Sequence, residues 1–247
     1  MFAVVLAGGY AKRLWPLTLS RPKALLPVAG KPVIDYVVEK LACLNPKIGR
    51  IVVSTNLRFQ PQFEDWLQAR TNSAGGIELM PESSVSEKEK LGAVRALAEV
   101  VERVGEEDVL VLPGDNLFTD DLEGFVRFFH EKHAPVVALF DARSLDETRK
   151  GSNVTVDEDW RVLEFVEKPA HPKTTLVGAA IYAFPAGIGG RLKQYVRLGM
   201  NVNEPGRFIE WLHRQEPVYG YMFKEYVWDI GTLDSYEAAD KFFLSVK

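Results

Sequence analysis

Short apolar runs alternate along this chain with stretches of helical periodicity. Phe2–Leu6 is an unbroken apolar run containing two valines and closed by Gly8-Gly9. A β-branched run of that length reads as a strand buried on both faces, as in a parallel sheet. Lys31-Pro32 opens a predicted helix to about Leu44, with Val33, Tyr36, Val37, Lys40 and Leu41 at helical spacing. The pattern then predicts a strand over Ile51–Ser54, a helix over Pro61–Arg70 and a strand over Ile77–Met80. Ser83–Glu89 is polar and mixed in charge, which predicts an exposed loop. Val94, Leu97, Ala98, Val101 and Val104 stripe a helix over 91–104, and Val109–Leu112 is another buried strand ending in Pro-Gly-Asp-Asn.

The second half is richer in strands. A helix over 122–133 and a strand over 136–140 precede predicted strands at 154–156, 162–167 and 176–184. A short helix over 207–214, a strand over 218–223, the segment 226–230 and a helix over 233–244 complete the pattern. The alternation predicts an α/β fold, a mixed and mostly parallel central sheet flanked by helices with right-handed connections. No Gly/Ser/Pro linker interrupts it, so residues 1–247 read as one domain.

The loop after the first strand changes the picture. It carries Lys12, Arg13, Arg21 and Lys23, and no acidic residue occurs from Met1 to Ile34. Pro16, Pro22 and Pro27 stiffen it. Gly8 and Gly9 let the backbone approach a ligand without a Cβ in the way. A buried strand feeding a glycine-containing cationic loop suits a polyanion held at the carboxyl end of a sheet. Neither GxxxxGK[ST] nor GxGxxG is present.

Composition narrows the partners. A net charge of −4 leaves no basic excess for nucleic-acid backbones, so the local cations point to a small anionic ligand. Cys43 is the only cysteine, which excludes an internal disulfide and fits a reducing cytoplasm; its place in a helical pattern predicts a buried residue. No signal peptide is expected, and no apolar stretch approaches the ~20 residues that span a membrane.

The string LAGG-x-x-x-RL-x-P-x-T-x-x-x-P-K-x-LLPV resembles the signature of the sugar-1-phosphate nucleotidylyltransferases. Leu6, Ala7, Gly8, Gly9, Arg13, Leu14, Pro16, Thr18, Pro22, Lys23, Leu25, Leu26, Pro27 and Val28 carry the match. Ala11 and Lys12 stand where the usual GGxGTR has glycine and threonine. The resemblance implies a Rossmann-like nucleotide-diphospho-sugar transferase fold. About residues 1–120 would form its nucleotide-binding half, and about 121–247 its sugar-phosphate half. It also implies an enzyme using an NTP, a sugar 1-phosphate and Mg²⁺, with glucose-1-phosphate thymidylyl transfer as the leading pair. Mannose-1-phosphate guanylyl or glucose-1-phosphate uridylyl transfer are the alternatives, and a non-catalytic nucleotide-sugar-binding regulator is the rival from another class. A homo-oligomer is left open. The left-handed β-helix or helical extension of larger members is not found, so no acetyl transfer or regulation housed there is expected.

Asp115, in LVLPGDN, follows a buried strand and is placed either to steady its own turn or to coordinate a metal. Asp229, in YVWDIGT, could equally cap the helix that follows. Mg²⁺ takes one or two carboxylates plus phosphate oxygens and water, and the resemblance matches these two aspartates to the metal pair. It further implies Leu6, Ala7, Gly8, Gly9, Arg13, Lys23 and Gly92 around the nucleotide. Asn153, Glu167, Lys168 and Gly178 would lie around the sugar phosphate. The family's Gly-x-Tyr would put Ala180 at its glycine, while Gly178 stands two residues earlier. Catalysis is assigned to Arg13, Lys23, Asp115, Lys168 and Asp229. His130 and His133 have a spacing that can bind zinc, but no further ligand lies near them in sequence, and a helix-terminal cation role is adopted.

Overall fold

The computed structural model describes residues 1–45, 48–70, 76–224 and 227–246. The chain divides into two compact units. The first comprises Met1–Leu91, Leu112–Thr119 and Val227–Lys247, and the second Gly92–Val111 and Asp120–Tyr226.

The first unit opens with β1 (Phe2–Leu6), the short antiparallel pair β2 (Pro27–Val28) and β3 (Lys31–Pro32), and α1 (Val33–Ala42). β4 (Ile51–Asn56), α2 (Gln60–Gln68) and β5 (Ile77–Glu82) follow. β1 pairs parallel with β4, and β4 parallel with β5. Phe2 to Val5 and all of β4 are buried, as strands covered on both faces must be. α1 ends at Ala42, and Cys43 lies past its apolar stripe and is exposed, correcting the expectation of a buried helix residue. Within Ser83–Glu89, predicted to be an exposed loop, Ser84 is buried.

The chain then enters the second unit with α3 (Ala93–Val104) and the start of β6 (Val109–Pro113). The end of β6 and β7 (Asn116–Phe118) belong to the first unit. The second unit resumes with α4 (Glu123–Lys132), β8 (Val136–Asp141), α5 (Leu145–Thr148), β9 (Ser152–Val156), β10 (Val162–Glu167) and β11 (Leu176–Phe184). α6 (Ile188–Arg197), α7 (Pro205–Leu212) and β12 (Tyr219–Met222) complete it. β11 is antiparallel to β6, β8 and β9, whereas β12 is parallel to β8. The triad Asp157-Glu158-Asp159 makes the β9–β10 turn, where Asp157 accepts hydrogen bonds from the Asp159 and Arg161 amides.

α6 is a helix the apolar pattern had left out. Its Ile188, Leu192 and Tyr195 do recur at helical spacing and are buried, but Gly189-Gly190 dilutes the signal. A Cβ at Gly189 would stand 3.3 Å from Val101 Cγ1, so the glycine lets α6 lie close on α3. β13 (Val227–Asp229) and α8 (Leu233–Ser245) return the chain to the first unit. Tyr226 lies outside the described residues. Among those residues, no helix is long and apolar enough to cross a membrane.

Candidate active site

In the first unit, β1 delivers the chain into the Ala7-Gly8-Gly9 turn. The Ala7 amide donates to Ser54 O at 2.7 Å, and Asn56 Nδ2 donates to Gly8 O at 3.0 Å. Ala11 adopts left-handed backbone (φ 44°), and its carbonyl accepts from Leu14 N at 3.0 Å and Thr18 Oγ1 at 2.8 Å. That turn drops Leu14 into a cluster with Leu26, Val28, Val33, Leu117, Ile230 and Ala239. The cationic loop is therefore pinned at both ends by apolar side chains. An alanine at positive φ is strained by ~1 kcal/mol or more. Ala11→Gly is accordingly expected to raise stability by about 0.5 kcal/mol after glycine's larger chain entropy is subtracted. Thermal unfolding of the variant checks this.

Lys23 sits in a short turn just before Leu26 and is 7% exposed. Its Nζ lies 2.8 Å from Asp115 Oδ2 and 3.2 Å from Asp229 Oδ1. Burial works against its charge, but the two carboxylates outweigh burial and hold its pKa above the ordinary lysine value. Asp115 reaches this point because the Gly114 amide donates to Leu6 O at 2.8 Å. A Cβ on Gly114 would stand 3.1 Å from Val5 Cγ1 and from Ala7 Cβ, so any larger residue would press β1 and its neighbours aside by a few tenths of an ångström. Asp229 arrives through antiparallel pairing of β13 with β7, opposite Asn116. Its alternative task falls away, because Thr232 and Ser235 form a reciprocal cap on α8. Arg13 completes the group. A Cβ on Gly231 would meet its terminal nitrogen at 3.1 Å and Asp229 Oδ2 at 3.2 Å.

The residues present fit a divalent cation. Two carboxylates already converge on one positive centre, the Lys23 ammonium, and oxygen donors are the set Mg²⁺ prefers. Among the described residues, no group of three or more His, Cys, Asp and Glu side chains is gathered for a metal. His130 and His133 close α4, with His133 in left-handed conformation as its C-cap.

Sequence reasoning missed the polar support of the loop. The buried Glu82 places Oε1 3.3 Å from where a Gly8 Cβ would be, and accepts from Ser84 Oγ at 2.8 Å. Tyr10 OH lies 3.2 Å from Ser84 Oγ. Lys12, one of the two departures from the motif, pairs with Glu87 at 2.7 Å, and Lys90 binds the same carboxylate at 2.9 Å. Lys12 and then Lys90 hold the Glu87 carboxyl down at about 2.

The second unit carries a separate cluster. The antiparallel register of β9 and β10 sets Glu167 opposite Ser152, whose hydroxyl donates to Glu167 Oε2 in a short hydrogen bond. Glu167 is buried, and burial pushes its carboxyl above the usual range, offset only partly by Ser152. Lys168 is left-handed (φ 51°), donates its amide to Gly151 O at 2.8 Å, and forms a tight ion pair with Glu204. Arg207 lies 3.5 Å from Glu204 and 2.8 Å from Glu210. A Cβ on Gly206 would fall 1.9 Å from Glu167 Oε2, so the first turn of α7 abuts that carboxylate. No sequence pattern flagged Gly206.

Asn153 is buried and clamps the segment entering β11. Its Nδ2 donates to Thr174 O at 2.9 Å, and its Oδ1 accepts from Lys173 N at 2.8 Å. Gly178 packs in ordinary contact with the Phe165 ring, whereas Ala180 (φ 58°) lies in the bulge where the β11–β8 register shifts. Gly92 (φ 88°) precedes α3, and a Cβ there would meet Val202 O at 2.7 Å. Gly92 thus belongs to the second unit, and Leu6 to Gly9, Arg13, Lys23, Asp115 and Asp229 to the first.

Glu167 makes a pH prediction. A carboxyl whose folded pKa is raised binds its proton more tightly in the folded state. Its stabilising share is complete below the unfolded pKa of about 4.3 and is lost as pH rises through the folded value. Glu167→Gln removes that loss. The variant is expected to be more stable than wild type at pH 7–8, with the gap closing toward pH 4.5, as pH-resolved thermal melts would show.

A family profile described as nucleotidyl transferase matches residues 2–246. The chain belongs to the nucleotidyl transferase family. Among its relatives, the bifunctional protein GlmU of Methanocaldococcus jannaschii is 27% identical over 244 residues, 99% of this chain and 54% of GlmU. The mannose-1-phosphate guanylyltransferase of Mycobacterium tuberculosis is 29% identical over 95% of this chain and 62% of its own length. The glucose-1-phosphate adenylyltransferase of Geobacillus stearothermophilus is 30% identical over 94% and 63%. This nucleotidyl transferase chain thus spans little more than half to three fifths of those relatives. A UDP-glucose pyrophosphorylase solved with UDP-glucose superposes with a TM-score of 0.81 at 18% identity, covering all of both chains. That match shows the nucleotide-diphospho-sugar transferase fold.

Proposed function

We propose that this chain transfers a nucleotidyl group from an NTP to a sugar 1-phosphate, releasing pyrophosphate and an NDP-sugar. Glucose 1-phosphate with dTTP is the leading pair. Similarity to the Mycobacterium tuberculosis guanylyltransferase favours mannose 1-phosphate with GTP as the second. The observation that carries the reading is the convergence of Asp115 and Asp229 on one buried cation, Lys23, supplied by the loop that follows Gly8-Gly9.

A phosphate monoester is already a nucleophile near neutral pH, so no general base is required. The work left to the protein is positioning and charge neutralisation. Arg13 holds the β- and γ-phosphates and steadies the leaving pyrophosphate. Lys23 neutralises charge growing on the α-phosphate. Lys168 receives the phosphate of the incoming sugar, and Glu167 accepts hydrogen bonds from sugar hydroxyls. Asp115 and Asp229 are the residues that would hold Mg²⁺, which when bound would supply Lewis-acid charge to the nucleotide phosphates. The single cysteine fits a cytoplasmic protein.

Incubation with Mg²⁺, each of the five common NTPs and a panel of hexose and N-acetylhexosamine 1-phosphates, followed by chromatography, tests the reading. One NDP-sugar forming only when both substrates are present supports it and names the pair. Tight NDP-sugar binding without turnover would instead assign a regulator.

A further inference from the structure

We propose that the Lys23 ammonium is the resident cation of the Asp115–Asp229 site in the nucleotide-free protein, so that a divalent metal enters only together with nucleotide. The inference rests on the metal-binding part of the function proposed above.

The geometry is direct. Lys23 Nζ is 2.8 Å from one carboxylate and 3.2 Å from the other, which is where a shared cation belongs. The lysine side chain is 9% exposed, so the ammonium has almost no water to fall back on. A metal ion arriving alone would have to displace it from both acids. It would then leave a buried ammonium with neither partner, the arrangement that costs most in a protein interior. Arg13 and Asp229 both border Gly231, at 3.1 and 3.2 Å from where its Cβ would stand, so a second positive charge near the site opposes a bare cation.

A nucleotide changes this balance. Its phosphate oxygens are anionic acceptors that receive the displaced ammonium, leaving the two carboxylates for the metal the nucleotide brings. Lys23 then performs two tasks in sequence, a counter-ion before loading and a phosphate ligand after it. Metal occupancy is thereby coupled to nucleotide occupancy through one side chain.

Mn²⁺ is the probe, because its free form is counted by electron paramagnetic resonance without any turnover. Wild type is expected to bind Mn²⁺ alone at least tenfold more weakly than Lys23→Met, in which the carboxylates lose their resident cation. Adding an α,β-methylene nucleotide should raise the wild-type Mn²⁺ affinity at least tenfold. Asp115→Asn introduced into the Lys23→Met background should lose the gain. Thermal shifts provide a second readout on wild type itself: no stabilisation by Mn²⁺ alone, and clear stabilisation by Mn²⁺ with the nucleotide analogue. This wild-type arm decides the matter if Lys23→Met does not fold. Equal Mn²⁺ affinity with and without the analogue, or no gain in a folded Lys23→Met protein, overturns the inference. Transfer activity is scored separately. An active wild type that fails the Mn²⁺ arms overturns this inference alone, whereas an inactive wild type overturns the proposed reaction.

Discussion

Asp115→Asn is expected to lower the rate of pyrophosphate release by on the order of a hundred- to a thousandfold, the range for removing one preorganised charged group from a reacting centre. The substitution keeps the shape of the side chain and its place after the Gly114 turn. What it removes is one of the two charges facing Lys23, at 2.8 Å. Lys23 keeps Asp229 at 3.2 Å, so the loop stays in place and the melting temperature should fall only modestly. The corresponding loss in Asp229→Asn should be of similar size, because neither carboxylate makes the site alone. A variant retaining more than a tenth of wild-type turnover would remove Asp115 from the chemistry.

The second large effect belongs to Gly206. An alanine there would place its Cβ 1.9 Å from Glu167 Oε2 and 2.9 Å from Ser152 Oγ, inside the contact distance of any real side chain. Glu167 has to leave its position and its hydrogen bond to Ser152. Overpacking of this kind costs ~1–3 kcal/mol, which exceeds the up to ~1 kcal/mol that alanine gains over glycine in a helix. Gly206→Ala is therefore expected to lower stability by about 1–2 kcal/mol. It should raise KM for the sugar 1-phosphate tenfold or more while leaving KM for the NTP near its wild-type value. Gly190 in α6 is the control, since a Cβ there meets nothing within 4 Å. Gly190→Ala should stabilise the protein and leave both KM values alone. An unchanged sugar-phosphate KM in Gly206→Ala would mean that Glu167 does not face the sugar.

Much of the frame was legible along the chain. Unbroken apolar runs marked β1, β4 and β6, and helical spacing marked α1, α3 and α4, because those signals are local. β10 and β11 were bounded as they occur. Read from their own stretches, Asp115 and Asp229 were each an acid after a strand, and only the family resemblance joined them as a pair. Their meeting depends on β13 pairing with β7, a contact between residues more than a hundred positions apart that no periodicity encodes. Lys23 was expected to face a phosphate, but its bridge between the two aspartates needed the fold.

The misses have physical reasons. α6 was hidden because Gly189 and Gly190 weaken its helix propensity, Gly189 serving close packing on Val101 of α3 instead. Cys43 follows a helical pattern but lies just beyond the last turn it could share, and faces solvent. Gly206 carries no motif, and its requirement comes from a carboxylate nearly forty residues away. Ala180 occupies a left-handed bulge where glycine would be unstrained, a conformation that sequence spacing alone cannot place.

The central claim is that the bond broken joins the α- and β-phosphates of the nucleotide. Separate incubations with NTP labelled at the α- and at the γ-phosphorus, each with Mg²⁺ and the accepted sugar 1-phosphate, test it most directly. The α-label is predicted to appear in the NDP-sugar and the γ-label in pyrophosphate, in equal amounts. Transfer of the γ-label to the sugar phosphate, or release of both labels independent of the sugar phosphate, would contradict it.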